Sequence, residues 1–245
     1  MRQLKDQLVG LDSRFKYRGL NQTRIETFSD AVFAFSVTLV VLSSSVPETF
    51  VELKESFRDI IPFFVCAILI VVIWYQHYTF FLRYGLQDVR TVVINTFLLF
   101  VLLIYVYPLR FLMNFLFEIH VALITDDWSL VRKIIGEEGG GNYLMTSYGL
   151  GAAVIFLSLA WLYRHAYNQR ELLNLSEYEK FSTTVSIKTN LLMSAIPILS
   201  SILSISGISY IIAGFTYMLY PFVMIPYGIM VRKKGSRLFP EEVNE

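Results

Sequence analysis

The sequence has few charged residues and a single cysteine. Only 17% of its 245 residues are charged and 55% are hydrophobic, whereas a soluble domain has about 25% charged residues. This composition excludes an ordinary water-soluble domain, because one core could not bury so much apolar surface. The lone cysteine, Cys66, lies in an apolar run, which excludes an intrachain disulfide and predicts a packing role. The formal net charge of +1 gives no indication of a nucleic-acid partner.

Recognisable catalytic and metal-binding motifs are also missing. The three histidines, His77, His120 and His165, lie in different segments and lack the spacing of metal ligands. The chain has no Gly-x-Ser-x-Gly nucleophile motif. Neither an enzyme nor a resident cofactor is therefore expected.

Long apolar runs take up most of the chain. A bilayer core about 30 Å thick needs roughly 20 apolar residues of helix, and six segments meet that requirement. Pro47 ends the first of them, and Gly207 marks a tight turn between the last two. The sequence predicts an all-α membrane protein with six transmembrane helices, at Phe28–Val46, Ile60–Phe81, Val92–Phe115, Tyr143–Tyr163, Thr189–Ser206 and Ile208–Val231.

Basic residues are unevenly distributed among the connecting segments. Most of the 21 Lys and Arg residues fall in segments that lie inside if the N-terminus is cytoplasmic, which indicates that both termini are cytoplasmic. We therefore predict a basic N-terminal segment at 1–26, a six-helix transmembrane domain at 27–231 and a cytoplasmic tail at 232–245. The connection Glu118–Asn142 is predicted to be a flexible extracytoplasmic loop. Ser176–Lys188 is predicted to be a cytoplasmic linker or surface helix.

Polar side chains concentrate at the cytoplasmic ends of the first three spans. Such groups are costly in lipid and normally face one another inside a bundle, which predicts a buried network that holds the first helix to the next two. The alternative is anchoring at the membrane surface, where Trp, His and Arg are common. The residues concerned are Arg24, Ser29, Asp30, Trp74, His77 and Asn95.

The first helix carries two distinct stripes. One stripe mixes large apolar residues with hydroxyls at a helical spacing of three and four, and it consists of Ala31, Phe35, Thr38, Leu42 and Ser45. The other consists of Ser29, Ser36 and Ser43, small residues that allow a neighbouring helix to approach closely. The spacing fits either two packing faces or one packing face and one face that lines an ion path.

The start of this helix resembles a known family of channels. Arg24-Ile-Glu-Thr-Phe28-Ser29-Asp30, followed by Ala-Val-Phe-Ala-Phe-Ser-Val-Thr-Leu, is similar to the hallmark of the transmembrane protein 175 family of endosomal and lysosomal potassium channels. That hallmark, Arg-x-x-x-Phe-Ser-Asp, opens a six-helix repeat, and this chain has one such repeat. The resemblance implies a bacterial-type homotetramer in which the first helix of each subunit lines the pore.

The resemblance also implies roles for individual residues. It places apolar pore constrictions at Phe35, Leu39 and Leu42, and a hydroxyl associated with selectivity at Thr38. Ala31 and Ser45 would complete the pore lining. Family members usually have Ile or Leu where this chain has Phe35, and four phenyl rings would either occlude the path or rotate aside. The implied structural network comprises Arg24, Phe28, Ser29, Asp30, Trp74 and His77, together with Asn95.

The expected function is a homotetrameric, potassium-selective cation channel in the plasma membrane of a bacterium. Its expected partners are copies of itself, the lipid bilayer and monovalent cations, with K⁺ as the permeating ion. A re-entrant selectivity loop is not expected, since Thr-Val-Gly-Tyr-Gly is absent. A secondary transporter, proton-linked through His77 and Asp30, is the alternative, although few ionisable residues lie near the middle of the spans. A non-conducting membrane scaffold is a third class.

Overall fold

The regular secondary structure in the described part of the chain is entirely helical. The computed structural model describes residues 12, 14–42, 48–50, 54, 57, 60–136 and 140–240. We number its helices α1 to α8 in chain order, and a short 3-10 turn at Thr216–Met218 joins the last two. The helices are α1 Arg24–Leu42, α2 Ile60–Tyr84, α3 Val89–Thr125, α4 Ser129–Ile135, α5 Gly140–Asn168, α6 Glu177–Ile205, α7 Tyr210–Phe215 and α8 Leu219–Leu238.

Several of these helices have the length and composition of membrane spans. Over the described residues, five stretches are long and apolar enough to cross a bilayer: Ile60–Tyr84, Val89–Val106, Gly140–Asn168, Glu177–Ile205 and Tyr210–Leu238. Helix α1 is not among them and has 19 described residues, with Arg24, Glu26 and Asp30 in its first two turns. The chain is therefore a multi-pass membrane protein.

The prediction for the connection Glu118–Asn142 was wrong in part. Helix α3 continues to Thr125, α4 follows at Ser129–Ile135, and α5 already begins at Gly140. The helix is prolonged because apolar residues recur at helical spacing beyond the predicted span. Beyond that span these are Leu116, Ile119 and Ala122; Ala122 is buried in a second cluster with Leu112, Phe115, Val131, Met145 and Tyr148, and the other two pack against this cluster.

The segment Ser176–Lys188 is not a separate linker or surface helix, because it forms the first turns of α6. The Ser176 hydroxyl accepts a hydrogen bond from the Glu179 backbone, and the Glu179 carboxylate accepts one from the Ser176 backbone. This reciprocal capping box starts the helix twelve residues before the predicted span. At the other end of the chain, α8 runs to Leu238, so residues 232–238 extend that helix.

The turn between the last two predicted spans lies where the sequence placed it. Helix α6 ends at Ile205, and Gly207 has a positive φ of 78°, a conformation that glycine adopts without strain. The Gly207 amide donates to the Ser204 carbonyl at 3.1 Å. The chain thereby reverses within a few residues and returns through α7 and α8.

Two sets of helix contacts dominate the packing, and a shared core connects them. Helix α1 packs against α2 and α3, whereas α5 and α6 form the most extensive helix pair. Residues from α1, α2, α3 and α5 share the main core, which also contains Cys66. The buried position of Cys66 agrees with its predicted packing role.

A segment before α1 is docked onto one end of the bundle, and we call residues 14–20 the N-terminal strap. Phe15 is fully buried in the main core. Arg18 forms an ion pair with Glu179 on α6, with Nη1 and Oε1 2.9 Å apart. The Gly19 amide donates to the Leu82 carbonyl of α2 at 3.0 Å. The strap therefore ties the start of α1 to α2 and α6.

Candidate ion-path helix and its polar network

Helix α1 begins at a reciprocal cap. The Thr23 hydroxyl accepts a hydrogen bond from the Glu26 amide at 3.3 Å, and the Glu26 carboxylate accepts one from the Thr23 amide at 3.2 Å. Two backbone donors at the helix start are thus satisfied by side chains. This fixes the point at which the motif residues Phe28, Ser29 and Asp30 enter the helix.

One face of α1 is buried within the chain. Ser29 and Ser36 are fully buried together with Phe33 and Val40. Each serine hydroxyl donates to the carbonyl four residues earlier, Ser29 to Ile25 and Ser36 to Val32, both at 2.8 Å. Because these hydroxyls need no partner on another helix, α2 and α3 can pack closely against this face.

A chain of hydrogen bonds crosses the interior from α2 through α3 to α1. The His77 Nε2 atom lies 2.7 Å from the Asn95 Oδ1 atom. The Asn95 side-chain amide donates to the Ser29 hydroxyl at 2.9 Å. All three side chains are at most 2% exposed, and the His77 ring also packs against Phe33, with ring centroids 5.3 Å apart. The chain of bonds holds α1 to both of its neighbours.

Asp30 forms a second, less buried branch. Its Oδ1 atom accepts a hydrogen bond from the Trp74 indole of α2 at 2.8 Å. Its Oδ2 atom accepts one from the Gln22 side chain at 3.1 Å. The structure therefore brings together five of the seven residues assigned to the network by sequence, namely Ser29, Asp30, Trp74, His77 and Asn95.

The other two motif residues lie outside this network. Arg24 is exposed at the first position of α1, and Phe28 is 60% exposed. Within a single chain neither of them packs into the core. Both project from the part of α1 that is left uncovered by α2 and α3.

The opposite face of α1 is exposed along its length. Ala31, Phe35 and Thr38 are all exposed, with Phe35 at 54%. The Thr38 hydroxyl donates to the Ala34 carbonyl at 3.1 Å, so its oxygen lone pairs are turned to the open side of that bond. This face combines apolar surface with hydroxyl acceptors.

The remaining residues assigned to the pore differ in their positions. Leu39 is partly buried against the main core, away from the exposed stripe. Leu42 is the last residue of α1. Ser45 lies outside the described residues, as does Ser43 of the predicted packing stripe. Only the first part of the predicted pore-lining stripe is thus described.

A partly buried contact between α3 and α5 was not foreseen from sequence. Asp88 caps the start of α3 and lies 2.8 Å from the Nε2 atom of His165 on α5. The Thr91 hydroxyl also donates to Asp88, at 2.6 Å. Partial burial acts to raise the pKa of Asp88, but hydrogen bonds from Thr91 and His165 outweigh it and hold that pKa below its usual value. The helix cap could be predicted from the sequence, because Asp88 precedes Thr91 by three residues. The contact with His165, 77 residues away, gives no such local signal.

Metal ligation is not a feature of this network. Across the described ranges, no three His, Cys, Asp or Glu residues are grouped as they would be around a metal ion. The chemistry available on α1 is that of hydroxyl oxygens and apolar side chains on an exposed face.

Comparison with known proteins gives consistent matches. The family model described as endosomal/lysosomal potassium channel TMEM175 matches residues 24–108. A protein of Marivirga tractuosa named "Potassium channel" is 50% identical over 251 residues, which cover 98% of this chain and 100% of that protein.

Two solved structures are similar to the fold described above. The potassium channel MtTMEM175 T38A variant, in complex with a Nanobody-MBP fusion protein, is 49% identical with a TM-score of 0.83, over 92% of this chain and 100% of that chain. A lysosomal potassium-selective channel TMEM175 homolog from Chamaesiphon Minutus is 20% identical with a TM-score of 0.53, over 85% and 96% of the two chains, and it supports the fold alone. With half of its residues identical to a potassium channel over nearly its whole length, the chain belongs to the endosomal/lysosomal potassium channel TMEM175 family.

Proposed function

We propose that four copies of this chain form a potassium-selective channel in the plasma membrane of a bacterium. In this proposal α1 is the first of six membrane spans, both termini are cytoplasmic, and the four α1 helices surround the ion path. The observation that carries the proposal is that α1 is buried on one face and exposed on the other. One face is held by buried polar and apolar contacts, while Ala31, Phe35 and Thr38 lie exposed on the other.

The exposed face also suggests how selectivity arises. At a narrow apolar ring an ion must lose part of its hydration shell, and this favours K⁺ because it holds water less tightly than Na⁺. The Thr38 hydroxyl uses its proton on the Ala34 carbonyl, so its oxygen is free to accept a cation. A ring of four Thr38 oxygens next to four Phe35 side chains would partly replace the lost water. Leu42 and Ser45 would continue the path, with Leu39 supporting it from the core side.

Flux measurements on the purified protein in liposomes test the proposal. The wild-type chain should carry K⁺ in preference to Na⁺, and Thr38→Val should lower that preference severalfold because it removes the oxygen and keeps the shape. Thr79→Val is the matched control, since Thr79 on α2 is partly exposed and donates to the Tyr75 carbonyl in the same manner. Equal effects of the two substitutions would contradict the assignment of Thr38 to the path.

The position of Phe35 gives a second test. Phe35→Leu should raise K⁺ flux, because four leucine side chains around the path leave a wider opening than four phenyl groups. Phe100→Leu provides the control, since Phe100 on α3 is 61% exposed and lies outside the proposed path. Absence of K⁺ flux from both the wild-type chain and Phe35→Leu would refute the channel proposal.

A proton-linked transporter would need a route between His77 and Asp30. Among the described residues no hydrogen bond joins them, because His77 bonds to Asn95 whereas Asp30 bonds to Trp74 and Gln22. This separation favours a structural role for both residues. Flux that saturates at low turnover and moves a fixed number of protons per cation would support the transporter instead.

A further inference from the structure

A basic cavity lies where the N-terminal strap, α6 and α8 meet. Its volume is about 520 Å³, within the range of roughly 300–1,000 Å³ typical of sites for small molecules. Arg14 of the strap, Tyr178 and Phe181 of α6, and Arg232, Ser236 and Phe239 at the end of α8 contribute to its lining. None of the proposed conduction residues takes part in it.

The cavity lies at the boundary between apolar and basic surface. Helix α8 is apolar from Leu219 to Val231 and then carries four basic residues, Arg232, Lys233, Lys234 and Arg237. Val231 and Phe181 supply an apolar wall directly beside the Arg232 side chain. A membrane-spanning helix makes this change at the level of the lipid headgroups.

Two arginines line the cavity in different ways. Arg14 is fixed in place: its Nε atom is 3.0 Å from Asp12 Oδ1, and its Nη2 atom donates to the Tyr178 hydroxyl at 2.9 Å. Arg232 is exposed and makes no ion pair or hydrogen bond with any part of the chain that the structure describes. Its guanidinium therefore remains available to an external anion, and this group suits the two-pronged recognition of phosphate.

We infer that this cavity binds the phosphate group of an anionic phospholipid, with Arg232 on the phosphate and the apolar wall against the glycerol and acyl chains. Basic pockets between membrane helices bind such headgroups. A free phosphate ion would share the charge contact but gain nothing from Phe181 and Val231. The lipid would join α8 to the strap that leads into α1. This inference concerns binding and does not depend on ion conduction.

The helical arrangement of α8 offers a matched control. Arg232, Gly235, Ser236 and Phe239 follow one another at spacings of three, one and three residues, which places them on one face toward the cavity. Lys234 lies about 200° further round the helix from Arg232 and does not line the cavity. Arg232→Gln and Lys234→Gln remove the same charge from the same helix, but only the first removes it from the cavity.

Native mass spectrometry of the delipidated protein, titrated with phosphatidylglycerol, phosphatidylcholine or glycerol phosphate, tests this inference. We expect phosphatidylglycerol to bind at least tenfold more tightly than phosphatidylcholine, and Arg232→Gln to remove most of that difference. Lys234→Gln should change the affinity less than twofold. Ser236→Trp, which fills the cavity without altering its charge, should weaken phosphatidylglycerol to the same extent as Arg232→Gln.

Three outcomes would overturn the inference. Equal losses in Arg232→Gln and Lys234→Gln would show diffuse attraction to the basic end of α8. Unchanged binding in Ser236→Trp would place the lipid elsewhere. Glycerol phosphate that binds as tightly as phosphatidylglycerol would assign the cavity to a soluble phosphate compound, because the acyl chains would then contribute nothing.

Discussion

Replacing Asn95 by alanine is the sharpest test of the buried network. Asn95 is the only side chain of α3 that bridges α2 and α1 in the hydrogen bonds described above, through His77 and Ser29. After the substitution the Nε2 atom of His77 loses its hydrogen-bond partner and remains in an interior that excludes water. Ser29 loses less, because its hydroxyl still donates to the Ile25 carbonyl.

The expected cost follows from these two changes. A buried polar group left without its partner costs about 1–3 kcal/mol, and a hydrogen bond between membrane helices contributes about 0.6 kcal/mol on average. The sum is about 1.6–3.6 kcal/mol. For a chain of this size 1 kcal/mol shifts the melting temperature by roughly 2–4 °C, so Asn95→Ala should lower it by roughly 3–14 °C.

Thermal unfolding in detergent, followed by circular dichroism, measures this shift. Asn114→Ala is the matched control, because Asn114 lies on the same helix and its Oδ1 atom has no hydrogen-bond partner in the described structure. The control should shift the melting temperature by less than half as much. Equal shifts for the two variants, or no shift for Asn95→Ala, would refute a stabilising role for the network.

Three further predictions concern other contacts. The pKa of Asp88 is lowered in the folded state, so its carboxylate stabilises the fold above the unfolded pKa of about 3.9 and loses that effect as pH falls through the lower folded value. In Asp88→Asn the melting temperature should therefore decrease less steeply at acid pH. Gly149→Ala should destabilise the protein, since the new Cβ would lie 2.7 Å from the Pro197 carbonyl oxygen, whereas Gly228→Ala meets nothing within 4 Å and should be tolerated. Glu179→Gln should lower the melting temperature and expose the strap to proteases, because breaking a buried ion pair costs about 3 kcal/mol.

The sequence predicted the general architecture because its apolar runs are long. Membrane-length helices and the reversal at Gly207 follow from composition and from one residue with special backbone freedom. The ends of helices were harder to predict. Helix α3 reaches Thr125 because Phe115 and Ala122 find partners on α4 and α5, and such tertiary contacts are not visible in local composition.

The polar residues show the same division between local and distant information. Placing Ser29, His77 and Asn95 at a similar depth required only counting along helices, since polar groups in a bundle interior must face one another. The burial of Phe15 and the pairing of Arg18 with Glu179 could not be predicted, because a short basic segment gives no sign of its docking site. The exposed positions of Arg24 and Phe28 were equally hidden, since the motif does not show which of its residues face outward in one chain.

The long sequence separations of the α1 contacts also set an order of events during synthesis. Helix α1 is made first, yet Trp74 and Asn95, which hold its polar side chains, follow 44 and 66 residues later. Glu179, which receives Arg18 of the strap, follows after 161 residues, or roughly 8–32 s at ribosomal rates of about 5–20 residues per second. Until then Arg18 of the strap lacks the carboxylate that holds it in the folded subunit. The last contacts that hold α1 therefore form late in biogenesis. The ion path that we propose along α1 can form only after most of the subunit has been inserted.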